Sequence, residues 1–255
     1  MRLEWSDKNA VRVDPYEKLA CIYDDIMRHV DYDKWASYIN ELIIHWNPDT
    51  RTVLDIGCGT GNLLKMLRKY SYELYGCDYS LPMLMQAKKK RSIESTPLWR
   101  SRMLQIALQE KVDVILCLYD SINYIMDLDL VKEFIDKAED SLKEKGLLIF
   151  DVCTERNSLK YFYNYYDHVD CRTFSYDRWS HYDRKNRIQY TEFKLRFKPK
   201  PLTYLETHRQ RIYSTRTLVE IIAKTPLNLM EIYDNFTFRP ATSQSNRLHF
   251  VLQRG

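Results

Sequence analysis

The 255-residue chain predicts an α/β fold, a doubly wound and mostly parallel sheet carrying an antiparallel β insertion. Three observations carry this. Short continuous apolar runs alternate with helical patterns up to Val152, as strands covered on both faces require. One such run opens through a glycine-rich turn into a helix. Beyond it, residues 158–213 hold 14 of the chain's 34 aromatics in long alternating runs joined by short turns, the mark of an antiparallel meander.

The elements follow in order. Tyr16–Arg28 and Asp33–Trp46 read as amphipathic helices, with Pro15 in the first turn of one and Asn47-Pro48 stopping the other. Thr52–Ile56 is a short apolar strand, then come the glycine turn and a helix over Gly61–Tyr70. Leu74–Cys77 is a strand, Pro82–Arg91 a helix, and Leu98–Leu104 and Val112–Leu118 are two more strands. A helix at Leu128–Lys145 leads through Gly146 into the strand Leu147–Val152. Arg172–Tyr182, Arg187–Phe197 and Leu202–Tyr213 form the meander, with Asp183-Arg-Lys-Asn186 and Lys198-Pro-Lys-Pro201 as its turns. The helix Thr217–Lys224 and the strands Leu229–Phe238 and Leu248–Gln253, antiparallel to each other, complete the main sheet. The expected organisation is therefore residues 1–157 as N-terminal helices and ligand-binding core, 158–213 as insertion, and 214–255 as the end of the core.

Composition narrows the function. Hydrophobic residues make up 45% of the chain, enough for a sizeable core. The net charge of +4 is mixed in sign and does not point to nucleic acid. The basic run Lys88-Lys-Lys-Arg91 reads as a solvated helix end. The first residues, Met1–Lys8, lack the apolar stretch of a secretory signal, and no run approaches the roughly 20 apolar residues that span a bilayer. The six cysteines form no CxxC pair and lie near no histidine cluster, which argues against a disulfide framework or a metal site. A cytoplasmic protein with no membrane partner is expected.

Asp55-Ile-Gly-Cys-Gly-Thr-Gly61 follows a strand and opens a helix. Glycines let the backbone turn sharply and approach a ligand closely. The spacing G-x-G-x-G differs from the pyrophosphate fingerprint G-x-G-x-x-G, and the preceding acid would repel phosphate. Asp78, about 20 residues on at a strand end, is placed to accept hydrogen bonds from ribose hydroxyls. Two acids around a glycine turn suit a nucleoside with a cationic amino-acid tail, such as S-adenosylmethionine.

Residues 53–62 and Gly76-Cys-Asp-Tyr-Ser-Leu-Pro-Met-Leu84 resemble the first two motifs of class I S-adenosylmethionine-dependent methyltransferases, a Rossmann-like fold with a seven-stranded sheet. Tyr16–Asp24, Tyr119–Tyr124, Phe150-Asp-Val152, Glu206–Tyr213 and Tyr233–Phe236 resemble a bacterial branch acting on small molecules, including amino-sugar N-methyltransferases. The resemblance implies that Gly57, Cys58 and Gly59 line the methionine part, with Asp55 beneath it and Asp78 on the ribose. Tyr79 and Met83 would hold the adenine, and Tyr16 and Tyr23 would close over the cofactor. The family's adenine-reading acid falls eleven residues before Asp113, where this chain has Arg102, with Met103 beside it among the cofactor contacts. Arginine has no acceptor for the adenine amino group, so it stacks or swings outward.

Methyl transfer from a sulfonium needs alignment and exclusion of water more than a nucleophilic side chain. Asp120 and Tyr124 follow the strand at whose end the methyl group is expected. Asp120 is a candidate to hold an ammonium or take its proton, or else to cap the following turn; Tyr124 is a candidate to orient the acceptor lone pair. His208 is a candidate base, with Arg211 and Tyr213 as polar contacts. The stretch Tyr161–Tyr166 and Trp179 either wall the acceptor pocket or form the insertion's own core. The expected partner is a small-molecule methyl acceptor, methylated at nitrogen or oxygen, and the chain is expected as a monomer or homodimer. An RNA or protein methyltransferase is the alternative enzyme, although Tyr119-Asp-Ser-Ile lacks the proline-rich motif of RNA amino-group enzymes. A non-catalytic cofactor-binding protein is the other alternative, suggested by Arg102.

Overall fold

The computed structural model describes residues 9–255. Its first half runs β1 (Val11–Val13), α1 (Tyr23–Ile26), α2 (Tyr32–Trp46), β2 (Thr52–Ile56), α3 (Asn62–Leu67), β3 (Glu73–Asp78), α4 (Leu81–Lys88), β4 (Leu98–Arg100) and β5 (Val112–Cys117). Then follow α5 (Leu128–Ser141), β6 (Leu142–Cys153), α6 (Glu155–Asn157), β7 (Tyr165–Asp170), β8 (Phe174–Asp183), β9 (Ile188–Phe197), β10 (Thr203–Arg211), α7 (Thr215–Ile222), β11 (Asn228–Asp234) and β12 (Arg247–Gln253).

The main sheet has seven strands in the order β4-β3-β2-β5-β6-β12-β11. Strands β2 to β6 pair in parallel, while β12 runs antiparallel to both β6 and β11. Both faces are covered, so the central strands are continuously apolar. Phe134 and Ile135 of α5 and Leu218 and Ile222 of α7 pack on one face. Ile39 and Leu42 of α2, Leu64 and Leu67 of α3, and Leu84 of α4 pack on the other. In α2 the buried positions 35, 36, 39, 42 and 43 recur at helical spacing, and Asp31 caps the helix by accepting from the Lys34 amide at 2.9 Å. Truncating the fully buried Phe134 to Ala is expected to cost about 3–5 kcal/mol.

The second sheet has the order β1-β10-β9-β8-β7. The three expected meander strands are its centre, and two further strands extend it. Strand β1 is three residues long and joins β10 in parallel. Strand β7 lies at the other edge and exposes Tyr165 and Tyr166. Tyr161 and Tyr163, just before it, are exposed as well, so this tyrosine stretch is neither core nor enclosed pocket wall. Trp179 does belong to the insertion's interior, 1% exposed, with its indole N–H donating to Asn164.

Several boundaries differ from expectation, each for a physical reason. The helix expected over Tyr16–Arg28 is broken into a turn and single-turn helices, α1 among them. Glu17 N–H donates to the Asp14 carbonyl at 3.0 Å around Pro15 and Tyr16, whose φ is +63°, as in a type II turn. The Glu206 carboxylate then accepts the amides of Tyr16, Lys18 and Leu19 at 2.9, 2.6 and 2.8 Å, a tertiary partner that overrides local helix formation. Strand β4 stops at Arg100, the last residue paired with β3; the Ser101 amide closes that ladder on the Asp78 carbonyl at 3.0 Å. Helix α5 ends at Ser141, four residues early, as Leu142 extends into β6. Strand β11 ends at Asp234, next to Asn235 with φ +49°.

Candidate active site

The glycine turn lies between β2 and α3. Gly57, Gly59 and Gly61 all have positive φ, of +76°, +56° and +73°. The Gly57 and Cys58 amides donate to the Cys77 carbonyl at 2.8 and 3.0 Å, binding the turn to the end of β3. A Cβ on Gly57 would meet Ser121 Oγ at 2.9 Å, so the loop surface stays free of side-chain bulk. The ends of Met83 and Met103 lie against the same loop.

Asp78 accepts from the amides of Gly59 at 2.8 Å and Ser80 at 2.7 Å, and Ser80 caps α4. Burial holds the Asp78 carboxyl above its usual range although the two amides favour its charge. Asp55 is 3% exposed, and burial, with the charge of Asp78, pushes its carboxyl up to about 8. A cavity opens over these groups, lined by Tyr23, Tyr32, Trp35, Asp55, the loop Gly57–Thr60 and Tyr119.

The N-terminal segment forms one wall of this cavity through Tyr23 and is tied to the glycine loop. Asp24 accepts from Thr60 Oγ1 at 2.6 Å and from Asn62 Nδ2 at 3.0 Å, and pairs with Lys90 at 2.7 Å. The Lys90 ammonium also donates to the Thr60 carbonyl at 2.6 Å. Lys90 is thus a structural latch rather than part of a solvated helix end, while its run-mates Lys88 and Lys89 lie further along the surface. The Tyr16 and Tyr23 rings meet edge to face at 5.9 Å.

Outside the cavity lining, the Tyr16 and Tyr124 hydroxyls are 2.6 Å apart, and the Tyr124 hydroxyl is 2.9 Å from His208 Nδ1. Burial raises the pKa of both tyrosines, so both hydroxyls keep their protons. His208 is 4% exposed, with its Nε2 3.4 Å from Oε2 of the fully buried Glu206.

Asp120 lies beside this group with φ +51°, but its carboxylate is occupied. It accepts from Arg247 Nη2 at 2.8 Å and from Gln210 Nε2 at 2.5 Å, and it makes no capping bond to the turn that follows. Arg247 also bonds the buried Asp151, and its guanidinium lies over the rings of Trp35 and Tyr119 at 5.3 and 5.2 Å. Burial raises the Asp151 carboxyl to about 6 despite Arg247.

Of the expected residues, Tyr23, Asp55, Gly57, Cys58 and Gly59 line the cavity, whereas Tyr16, Asp78, Met83, Met103, Asp120, Tyr124 and His208 do not. Tyr79 is 54% exposed, and the guanidiniums of Arg100 and Arg102 lie over its ring at 5.2 and 5.3 Å. The polar ends of Arg211 and Tyr213 bond the carbonyls of Met126 and Ile125, which anchors the segment after Tyr124.

Comparison with known proteins places the chain. Residues 53–146 match the family model of a methyltransferase domain. A crystal structure of an S-adenosylmethionine-dependent methyltransferase from Clostridium acetobutylicum superposes with a TM-score of 0.80 at 26% identity, covering 94% of this chain and 99% of that one. The chain is a class I S-adenosylmethionine-dependent methyltransferase. YqeM of Bacillus subtilis, a chain named as a methyltransferase, is 26% identical over 243 residues, 94% of this methyltransferase and 97% of the relative. A Streptomyces venezuelae dTDP-3-amino-3,4,6-trideoxy-alpha-D-glucopyranose N,N-dimethyltransferase is 24% identical over 124 residues, 49% of this chain and 52% of that one.

The cofactor of this methyltransferase is S-adenosylmethionine, and its residues fit that molecule. A buried carboxyl raised to about 8 beside a cavity calls for a cation, and the side-chain-free loop leaves room for a backbone-hugging ligand. Sequence reasoning gave no role to Trp35, Tyr32, Glu206, Gln210, Asp151 or Arg247, although Glu206, Gln210 and Asp151 lie within the family-like stretches Glu206–Tyr213 and Phe150-Asp-Val152.

Proposed function

We propose that this methyltransferase methylates a nitrogen of a small molecule, and that the acceptor lies between the cofactor cavity and the second sheet. The observation that carries this reading is the Tyr16–Tyr124–His208 chain, which supplies hydroxyls and a basic nitrogen at the carboxyl end of β5. The N,N-dimethyltransferase named among the relatives supports nitrogen over oxygen.

Asp55, Gly57, Cys58 and Gly59 would hold the methionine part, Asp78 the ribose, and Met83, Met103 and Tyr79 the adenine side, with Tyr16 and Tyr23 above. When bound, S-adenosylmethionine supplies an electrophilic methyl group, so that a carbon–nitrogen bond forms as the carbon–sulfur bond breaks and the product amine sheds one proton. The hydrogen-bonded Tyr16–Tyr124 pair orients the acceptor nitrogen, and His208 takes up the proton. Asp120, held by Arg247 and Gln210, fixes the turn that carries Tyr124 rather than acting as a free base. In the same reading, residues 158–213 cover the acceptor. No described helix is long and apolar enough to cross a membrane, and the free cysteines, four of them buried, fit the reducing cytoplasm in which we place the protein.

A labelled-methyl assay against amine, hydroxy-acid and RNA pools tests the proposal. Label entering the amine pool alone is expected. Label in the hydroxy-acid or RNA pool, with none in the amines, would overturn it.

A further inference from the structure

We infer that Glu206 is a positioning residue that couples the closed N-terminal segment to the proton acceptor His208. This rests on the N-methylation reading above. It is carried by what one buried carboxylate touches: three amides of the N-terminal segment on one side and the His208 ring on the other.

His208 stands on β10 two residues from Glu206, so both side chains project from one face of the sheet. Its Nε2 is buried and makes no hydrogen bond of its own, and Glu206 Oε2 lies 3.4 Å away. A carboxylate facing Nε2 selects the tautomer protonated there. Nδ1 is then the acceptor, and Tyr124 must donate to it across 2.9 Å. With its proton so committed, Tyr124 accepts from Tyr16 across 2.6 Å. The Tyr16 oxygen is left with a lone pair for an acceptor N–H.

The chain has a direction. As the new carbon–nitrogen bond forms, the amine proton passes to the Tyr16 oxygen, the Tyr16 proton to Tyr124, and the Tyr124 proton to Nδ1. The product is an imidazolium whose charge Glu206 balances, and both tyrosines end as neutral as they began. Burial keeps the two hydroxyls protonated, which suits carriers rather than bases. Opening the N-terminal segment would withdraw Tyr16 from the chain and three donors from Glu206 together, so the relay exists only while the site is closed.

The test uses the full-length nitrogen-15-labelled protein bound to S-adenosylhomocysteine. Long-range proton–nitrogen correlation spectra report the tautomer of His208, assigned by its absence in His208→Asn. The expected result is a protonated Nε2 and a bare Nδ1; a bare Nε2 overturns the inference, and this wild-type measurement needs no variant to fold. In Glu206→Gln, amide exchange at Tyr16, Lys18 and Leu19 is expected to quicken at least about tenfold, with loss of the single tautomer. The kcat for the amine found in the labelled-methyl assay should fall at least about tenfold while its KM changes little. Unchanged kcat and tautomer in Glu206→Gln sink the coupling alone, provided His208→Asn is slow. A fully active His208→Asn sinks the role of His208 itself.

Discussion

The raised carboxyl of Asp55 makes cofactor binding a proton-linked event. Its ordinary value is about 3.9, and burial with Asp78 nearby lifts it to about 8 in the cofactor-free chain. At neutral pH and below, the free protein therefore carries Asp55 mostly neutral. A cationic ligand favours the ionised form, so binding must expel a proton, and the apparent affinity falls as acidity rises. For full linkage the loss approaches tenfold per pH unit, or on the order of seventyfold from about pH 7.5 to about pH 5.5. Keeping below about pH 7.5 limits titration of the ligand's own amino group, near the usual α-amino range. Calorimetry in buffers of different ionisation enthalpy reads both the affinity and the number of protons released. Close to one proton is expected at about pH 6. Asp55→Asn mimics the neutral acid, so its affinity should be flat with pH and sit near the wild-type value at the acid end. Wild-type affinity that is flat across this range, or binding without proton release, would refute the reasoning.

Other perturbations give separate checks. A Cβ at Gly61 would run into Ile93 Cδ1 with φ at +73°, so Gly61→Ala should lose about 2–4 kcal/mol in urea unfolding, from left-handed backbone strain plus overpacking. Arg247→Met leaves Asp120 and Asp151 buried without their cation and should cost about 3–5 kcal/mol. Because Asp151 binds its proton more tightly folded than unfolded, its ionisation subtracts stability as pH rises from about 3.9 through about 6; the Arg247→Met loss should thus be larger at about pH 8 than at about pH 5. Adding Asp151→Asn should restore part of it, and equal losses at both pH values would contradict the assignment. Asp24→Asn removes the charge that latches Lys90 and Thr60, and cofactor affinity by calorimetry should weaken about tenfold; an unchanged Kd would mean that the latch does not hold the cavity closed.

What could be read in advance was local. The strand β2, its glycine turn and α3 are set by residues adjacent in the chain, and Asp78 lies a short step away at the next strand end. The parallel order of the sheet followed from the alternation of apolar runs and helices. What could not be read depended on distant partners. Glu206 lies 190 positions from Tyr16, and no periodicity announces that its carboxylate will unwind an expected helix into turns. Arg247 precedes an ordinary apolar strand, and only the pairing of Arg247 with Cys153 carries it to Asp120, 127 positions away. Asp120 looked available because an acid at a strand end usually faces the ligand, and the two groups that hold it come from separate elements. Tyr165 and Tyr166 show the reverse error, where aromatic density suggested enclosure and an edge strand gave exposure.

The short strand β1 has a kinetic consequence. It fastens the start of the described chain to β10, while Asp24, a few residues on, grips the glycine loop of the main sheet. One strap therefore spans both layers, and entry of the methyl donor is expected to require that the strap lift. Turnover should then be ordered, donor first and adenosyl product last, with S-adenosylhomocysteine competing against the donor and not against the amine.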